Sequence, residues 1–227
     1  MGNFYLDIET TGLDPEKDKI LTIQYQELER NTGEAKGELI ILKEWESSEK
    51  EIIQKFIANT SILDAYAFSF VPVGYNLGFE HKFLKQRAIV HHLPPIDILN
   101  NPFIDLRAIG ILMNGGEFKG SGLDKLTGKI SDGKNIPILY NNSEYESIVS
   151  YIQMETREFI KFNSWLYKKL PDLLKEFDAA IVYGKKEEKV EAPKGPISGI
   201  RICPLCTKQI FPEQEHCAEC GVETINY

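Results

Sequence analysis

The hydrophobic and polar positions in the first third of the chain predict three β-strands. Apolar residues dominate from Phe4 to Ile8, and apolar and polar residues alternate from Ile20 to Glu27. A third apolar run lies within 38–43, after the turn sequence Asn31-Thr32-Gly33. Because short turns that contain Gly join antiparallel strands, we expect a sheet that begins with hairpin-connected strands.

Apolar residues at helical spacing begin after Ser47-Ser48, which we interpret as a helix cap. The apolar run 66–73 predicts a further strand, and a helical pattern follows it over 77–90. Shorter patterns predict a strand near 103–106 and helices over 106–113 and 123–127.

The longest helical pattern begins at Ser143-x-x-Glu146, which matches a capping box. Pro171 either ends this helix or starts a last one that reaches Phe177, because proline lacks the amide hydrogen that a helix interior needs. Helices that follow a hairpin-connected start indicate fold class α/β, with a mixed β-sheet flanked by helices.

The domain organisation follows from composition along the chain. The 227 residues suffice for one full-sized domain and a small appendage. Lys, Glu, Pro and Gly are frequent from Gly184 to Gly199, where apolar periodicity is lost, as is typical of a flexible linker. We predict a main domain over 1–180, a linker over 181–199 and a small cysteine-containing domain over 200–227.

The overall composition is that of a soluble globular protein, with 42% hydrophobic and 26% charged residues. No stretch approaches the roughly 20 apolar residues of a membrane span, and no signal peptide is recognisable. We therefore expect a cytoplasmic location without membrane association. The net charge of −8 argues against coating nucleic acid through bulk positive charge, but it is compatible with an acidic pocket that needs metal ions.

Two carboxylates, Asp7 and Glu9, interrupt the otherwise apolar first strand. Residues two apart on a strand point to the same face, so these side chains lie a few ångströms apart. Burying two like charges together is costly unless a cation or a proton compensates, which favours a metal site. The alternative is an exposed edge strand with two solvated acids.

A second candidate group is Asn76 and Glu80, which follow the end of a predicted strand and begin a helix. Asn offers both a donor and an acceptor at a junction where α/β proteins often bind ligands. The alternative is that Asn76 caps the helix and Glu80 is a favourable charge in its first turn.

A third candidate pair is Tyr151 and Glu155, which are four residues apart and share one helix face. That face also carries Ile148, Ile152 and Phe159, so it points inward and places a carboxylate on an apolar stripe. A boundary Glu that reaches water, beside a core Tyr with a satisfied hydroxyl, is the alternative.

Together these motifs resemble those of the DEDD superfamily of 3′–5′ exonucleases, which share a ribonuclease-H-like fold. The motifs are Phe-Tyr-Leu-Asp7-Ile-Glu9-Thr-Thr-Gly-Leu, Asn76-Leu-Gly-Phe79-Glu80 and Tyr151-x-x-x-Glu155. The third is similar to that of the tyrosine subgroup, as in the proofreading domains of family B DNA polymerases. The sequence departs from the family twice, because Glu80 and Glu155 stand where the family has Asp.

The resemblance implies a metal-dependent 3′–5′ exonuclease that uses two Mg²⁺ or Mn²⁺ ions. Its substrate would be a nucleic acid with a free 3′ end, single-stranded, with DNA favoured over RNA. The residues that the resemblance makes metal ligands are Asp7, Glu9, Glu80 and Glu155. Tyr151 would orient the attacking water. The residues implied for substrate binding are Thr10, Thr11, Leu13 and Asn76.

The two Glu residues in place of Asp keep a competing function open. Glu adds one methylene, and Mg²⁺ prefers near-ideal octahedral geometry, so a displaced carboxylate would weaken one metal position. The alternative is a catalytically inactive protein that keeps the fold and binds nucleic acid or serves as an adaptor.

All four cysteines lie within the last 25 residues, in two C-x-x-C pairs: Cys203, Cys206, Cys217 and Cys220. Four thiolates fit a tetrahedral Zn²⁺ site, which supplies folding energy to a segment too small for its own core. The pattern resembles a short zinc ribbon with one structural Zn²⁺, and a pair of disulfides is the alternative. A ribbon here would contact nucleic acid or a protein partner.

Overall fold

The computed structural model describes residues 2–64, 69–100, 102–128, 133–187, 201–202 and 209–210, with side chains described as far as residue 177. The chain divides into two compact units, 1–173 and 174–227. The sheet and the candidate site described below belong to the first unit.

Five strands form the sheet of the first unit. They are β1 (Gly2–Thr10), β2 (Ile20–Leu28), β3 (Ile40–Lys43), β4 (Phe70–Gly74) and β5 (Ile104–Asp105). Their order is β3-β2-β1-β4-β5, and β1 pairs antiparallel with β2 and parallel with β4. The predicted α/β class with a mixed sheet and a hairpin-connected start is therefore confirmed.

Six helices accompany the strands in the described residues: α1 (Glu49–Thr60), α2 (Gly78–Val90), α3 (Arg107–Met113), α4 (Leu123–Thr127), α5 (Ile136–Asn141) and α6 (Tyr145–Glu187). Short 3₁₀ turns cover Glu44–Glu46 and Gly133–Asn135. In the second unit, β6 (Arg201–Ile202) pairs antiparallel with β7 (Gln209–Ile210). None of the helices in these ranges combines the length and the apolar character that a membrane crossing requires.

The central strand β1 separates two hydrophobic cores, because its successive side chains point to opposite faces. Leu6 belongs to a core built with α1 and α2. Tyr5 belongs to a second core, where it meets Phe159 of α6. Asp7 and Glu9, in phase with Tyr5, therefore point to the face that α6 covers.

A buried ion pair joins the two helices of the first core. Glu49 of α1 accepts two hydrogen bonds from the guanidinium of Arg87 on α2, at 2.7 and 2.8 Å. The same carboxylate accepts a 2.7 Å bond from the Ile20 amide and lies 2.7 Å from Nε2 of His91. Glu49 thus ties the start of β2 to both helices.

Helix boundaries agree with the sequence at some ends and differ at others. Ser48 is the N-cap of α1, where its side chain accepts a hydrogen bond from the Glu51 amide, as predicted. The prediction of a capping box at Ser143-x-x-Glu146 is wrong. The helix begins at Tyr145, and Ser143 lies two residues before it with a φ of 60°. Short α5, which carries a proline in its first turn, has no counterpart among the predicted elements.

The longest helix continues past the predicted stop. Pro171 lies inside α6, which is unbroken from Tyr145 to Glu187, so neither predicted effect of this proline occurs. A single proline removes one amide donor, and the many remaining bonds of a 43-residue helix compensate. Residues 181–187 of the predicted linker are helical, and residues 188–199 lie outside the described residues, so the linker remains a prediction.

Candidate active site

Three carboxylates from two distant parts of the sequence meet at the C-terminal end of β1. One oxygen atom from each of Asp7, Glu9 and Glu155 lies within 4.8 Å of the others. Asp7 and Glu9 come from the strand, and Glu155 comes from α6, which crosses the same face of the sheet. The structure thus brings together the first and third motifs that the sequence singled out.

Aromatic packing positions α6 so that its carboxylate reaches the strand. The ring of Tyr5 lies 4.7 Å from the ring of Phe159, measured between centroids. Phe159 is one helical turn after Glu155, and Tyr5 is two residues before Asp7, so this contact aligns the two carboxylates. The inward face predicted for Tyr151 and Glu155 is therefore the face that meets the strand.

The Asp7 carboxylate has two hydrogen-bond donors on its own sheet. The Tyr5 hydroxyl and the Gln24 side-chain amide each donate to Oδ2 at 3.1 Å. Burial, and then the negative charge of Glu155, raise the pKa of Asp7 to about 6, although both donors act in the opposite direction. Gln24 is a residue that the sequence analysis missed. Its place directly opposite Asp7 in the β1–β2 hairpin would have revealed it.

Glu80 lies in the first turn of α2 and is 4% exposed. Burial, followed by the negative charge of Asp7, raises its pKa well above the ordinary value. Its Oε2 atom is buried and has no hydrogen-bond partner in the described part of the chain. The second motif therefore also reaches the acidic end of β1, although Glu80 is not a member of the 4.8 Å group.

The backbone that leads to Glu80 takes an unusual conformation at Asn76, where φ is 75°. The Asp105 carboxylate accepts hydrogen bonds from the amides of Asn76 and Leu77 at 2.8 and 3.0 Å. The N-cap of α2 is Leu77, so the alternative interpretation of Asn76 as the cap is wrong. Asp105 was missed because it is 29 residues away along the chain.

Tyr151 lies beside the carboxylates, one turn before Glu155. Burial raises the pKa of Tyr151, and the charges of Glu155 and Glu9 raise it further. A hydrogen bond with Glu155 acts in the same direction. The hydroxyl therefore stays protonated and can both donate and accept a hydrogen bond at neutral pH.

Two cavities adjoin the carboxylates. One, of about 200 Å³, is lined by Asp7, Tyr151 and Glu155, together with Arg107 and Asp124. The other, of about 360 Å³, lies on the Glu9 side, and its further lining includes Thr10, Leu13, Phe79, Gly133 and Lys134. The site is thus a cleft with the carboxylates between two hollows.

In the turn after β1, Thr10 and Thr11 are engaged in hydrogen bonds within the chain, whereas Leu13 is exposed. The Thr10 hydroxyl donates to the Gly12 carbonyl at 2.6 Å. The amide of Thr11 donates to the Lys19 carbonyl at 3.0 Å, and its hydroxyl accepts from the Lys19 amide at 3.0 Å. Leu13, by contrast, is 84% exposed at the edge of the larger cavity.

The donor set fits a hard divalent cation. Mg²⁺ and Mn²⁺ are bound through carboxylate oxygens, and this end of β1 supplies no other kind of charged ligand in the described residues. A buried carboxylate oxygen without a hydrogen-bond donor, such as Oε2 of Glu80, is costly unless a cation or a proton compensates. The cluster of Asp7, Glu9 and Glu155 could therefore bind a metal ion, with Glu80 beside it.

The predicted zinc ligands Cys203, Cys206, Cys217 and Cys220 lie outside the described residues. The zinc ribbon therefore remains a prediction of the sequence.

Comparison with solved structures finds the same fold in exonuclease I. The zinc-bound E. coli ExoI–ssDNA complex is 13% identical with a TM-score of 0.50, and the match covers 78% of this chain and 43% of that chain. A moderately thermophilic exonuclease I from Methylocaldum szegediense is 15% identical with a TM-score of 0.39, over 48% and 29% of the two chains. The chain thus spans less than half the length of these structures.

Comparison with curated proteins finds no match. One protein family, the RNase H superfamily, matches residues 4–167, a range that contains all three motifs and the five-stranded sheet apart from Gly2 and Asn3 at the start of β1. The fold and the acidic end of β1 agree with that match. The chain belongs to the RNase H superfamily.

Proposed function

We propose that this protein is a metal-dependent 3′–5′ exonuclease that hydrolyses phosphodiester bonds of nucleic acid. The observation that carries the proposal is the meeting of Asp7, Glu9 and Glu155 within 4.8 Å at the end of β1. Membership of the RNase H superfamily and the fold shared with exonuclease I support a nuclease.

The residues of the chain take separate roles in this proposal. Two Mg²⁺ or Mn²⁺ ions, when bound, would lower the pKa of the attacking water and stabilise the charge on the leaving oxygen. Asp7 would contribute to both metal positions, Glu9 and Glu155 to one of them, and Glu80 to the other. Tyr151, with its raised pKa, would orient the attacking water by hydrogen bonding rather than by giving up its proton.

The larger cavity is suited to the terminal nucleotide. Its volume of about 360 Å³ accommodates a nucleobase and sugar, and the exposed Leu13 and the ring of Phe79 offer apolar surfaces to a base. Thr10 lines the same cavity. Thr11 would support substrate binding by holding the turn after β1 in place, because its amide already donates a hydrogen bond to the Lys19 carbonyl. Asn76, which lies between β4 and α2 four residues before Glu80, would position the nucleic-acid strand.

Single-stranded DNA is the substrate that we favour over RNA. The E. coli ExoI structure of the same fold is a complex with ssDNA, which supports this choice. The aromatic and apolar edges of the larger cavity suit the bases of a single strand, because stacking on such surfaces requires a base face that neighbouring base pairs do not cover.

The test is release of nucleotides from 5′-labelled single-stranded DNA and RNA, with Mg²⁺, Mn²⁺ or EDTA. We expect a ladder that shortens from the 3′ end with either metal and stops in EDTA. Asp7→Ala should lower the rate about a thousandfold, since metal-based charge stabilisation contributes several kcal/mol. Asp64→Ala removes an exposed carboxylate outside the site and should leave the rate unchanged. Shortening from the 5′ end, or cleavage that survives in Asp7→Ala, would contradict the proposal.

A catalytically silent nucleic-acid-binding protein is the second candidate. It is favoured by the position of Glu80, which lies beside Asp7 but outside the 4.8 Å group. A silent protein would bind single strands without shortening them in either metal. In that case Glu80→Asp combined with Glu155→Asp should produce cleavage if the longer side chains alone silence the site.

We also propose that Cys203, Cys206, Cys217 and Cys220 hold one structural Zn²⁺ in a ribbon over 200–227. Four thiolates saturate a tetrahedral ion, so the ribbon would serve binding to nucleic acid or to a protein partner rather than chemistry. Metal analysis should find one zinc per chain and none after Cys203→Ser with Cys206→Ser. Deletion of 199–227 should leave nucleotide release intact and would identify any partner binding that depends on the ribbon.

A further inference from the structure

The cavity of about 200 Å³ contains one cationic side chain, Arg107, among the described residues that line it. The other charged groups in this lining are Asp7, Asp124 and Glu155. We propose that Arg107 binds a phosphate group of the nucleic-acid strand on this side of the carboxylates. The proposal rests on the proposed function and assigns a substrate-binding residue that none of the three motifs contains.

The guanidinium of Arg107 is held in one orientation by its neighbours. It lies 4.2 Å from the ring centroid of Phe118 and 5.5 Å from that of Tyr75. Its Nε donates to the Ser121 hydroxyl at 3.1 Å, and its Nη2 donates to the Phe118 carbonyl at 3.3 Å. Stacking on aromatic faces fixes the plane of the guanidinium and leaves part of its edge available for a ligand.

The available edge is that of Nη1. Within the described residues, Nη1 of Arg107 has no hydrogen-bond partner, and no carboxylate forms an ion pair with its side chain. An arginine held by stacking and by neutral acceptors is not engaged in a direct ion pair. Such an arginine is suited to a phosphate oxygen, which it can bind without first breaking an ion pair.

The wall that carries Arg107 is connected to the carboxylates through Asp105. The Arg107 amide donates to Oδ1 of Asp105 at 2.9 Å, and the same oxygen accepts the Asn76 amide at 2.8 Å. Asp105 thus connects Arg107 with the segment that carries Glu80. The Tyr75 hydroxyl donates a short hydrogen bond to the Ser121 carbonyl, which holds the other side of this wall.

Charge gives the physical reason for a cation at this place. Every nucleotide of a strand brings one negative charge, and the lining already contains the carboxylates of Asp7, Asp124 and Glu155. Metal ions would compensate the charge only where the carboxylates hold them. Because Asp7 and Glu155 are proposed metal ligands, the charge left in the smaller cavity is that of Asp124, and a phosphate that enters beside it meets repulsion unless Arg107 offsets it.

The test measures whether the effect on binding of removing Arg107 depends on the charge of one particular phosphate. Binding of fluorescent single-stranded DNA is measured by anisotropy in Asp7→Asn protein, which should shorten the strand about a thousandfold more slowly, with and without Arg107→Gln. A series of oligonucleotides carries one neutral methylphosphonate linkage at successive positions from the 3′ end. Glutamine places an amide nitrogen near the position of Nε, so it keeps a donor for Ser121 and removes the charge and the contact with Phe118. Unchanged thermal unfolding checks that the fold is kept.

We expect Arg107→Gln to weaken binding about tenfold or more, as for loss of a charge-assisted hydrogen bond. One neutral linkage should weaken binding with arginine present and have no further effect with glutamine. The slope of log K against log salt should fall by about 0.7, the value for one single-strand phosphate contact. Arg157→Gln, which removes an exposed arginine at a different cavity, should show neither effect.

Independent effects of Arg107→Gln and of every linkage would overturn the assignment, as would an equal loss in Arg157→Gln. Failure of the Asp7→Asn protein to bind any strand would overturn it together with the proposed function. A third outcome is that one linkage is coupled to Arg107 while the wild type shortens no strand. That outcome would support Arg107 as a phosphate ligand and would reject only the exonuclease activity.

Discussion

The carboxylate of Asp105 accepts a hydrogen bond from the backbone amide of Asn76, with 2.8 Å between the two atoms. This bond lies where β4 ends and the chain turns into α2, at a residue whose φ is 75°. A non-glycine residue in this region costs free energy unless its surroundings compensate. Asp105 supplies that compensation, and the conformation it stabilises carries Glu80 to the acidic end of β1.

Replacement of Asp105 by Ala should therefore destabilise the protein by about 3 kcal/mol. It leaves the amides of Asn76, Leu77 and Arg107 without their charged acceptor, and each such bond contributes about 1.5–3 kcal/mol, partly recovered by water. Asp105→Asn retains one carbonyl acceptor and should lose about half as much. Urea unfolding of both variants measures this, and an unaffected Asp105→Ala protein would show that water replaces the carboxylate fully.

The Asp7→Asn substitution should stabilise the metal-free protein at neutral pH. In the folded chain, burial and the Glu155 charge raise the pKa of Asp7 from 3.8 to about 6. A raised carboxyl pKa means that the folded state binds the proton more tightly than the unfolded state. The stability of the wild type therefore falls as the pH rises from about 4 to about 6 and does not recover above it.

Asparagine carries no charge to bury, so the free energy of unfolding of Asp7→Asn should exceed that of the wild type by about 1–2 kcal/mol at pH 7.5. This value is smaller than the full pKa shift implies, because solvent screens part of the charge. The difference should shrink toward pH 4.5, where Asp7 itself is protonated. Urea unfolding in EDTA at several pH values is the measurement. A pH-independent difference would point to packing rather than charge.

Divalent metal should raise the stability of the wild type through binding to the folded state. A metal ion at a hundred times its dissociation constant stabilises by about 2.7 kcal/mol, because the unfolded chain does not assemble the site. Asp7→Asn and Glu155→Gln should lose most of this gain, and Asp64→Asn should keep it. Thermal unfolding with Mn²⁺ against EDTA compares the four proteins, and equal gains in all of them would place the metal elsewhere.

The buried ion pair predicts a separate, structural sensitivity. Burial by itself would raise the pKa of Glu49, but hydrogen bonds from Arg87, His91 and the Ile20 amide outweigh it and lower that pKa. The stability that Glu49 contributes is thus present above the ordinary value of 4.5 and is lost as the pH falls through the lower folded value.

Glu49→Ala should accordingly cost about 3–5 kcal/mol at pH 7, since it leaves the buried Arg87 charge unpaired. Glu51→Ala, two positions along the same helix and exposed, should cost well under 1 kcal/mol. Acid unfolding should also be less steep in Glu49→Ala than in the wild type. Equal stabilities of the two variants would show that water replaces the carboxylate at Arg87.

Local rules were sufficient for part of the site. A period of two places Asp7 and Glu9 on one face of a strand, and a spacing of four places Tyr151 and Glu155 on one face of a helix. Both relations hold in the structure, because backbone geometry within one element sets them. The failed expectations at Ser143 and Pro171 concern helix ends, where one local preference competes with the packing of a whole helix.

The sequence by itself thus determined the α/β class and the face on which each candidate carboxylate lies. Only the tertiary structure decided that Glu155 meets Asp7, that Asp105 holds the segment leading to Glu80, and that Arg107 lines the same cavity. Each of these relations joins residues far apart in the chain. They depend on how elements pack, as the Tyr5–Phe159 contact shows, and local periodicity carries no information about the distance between two elements.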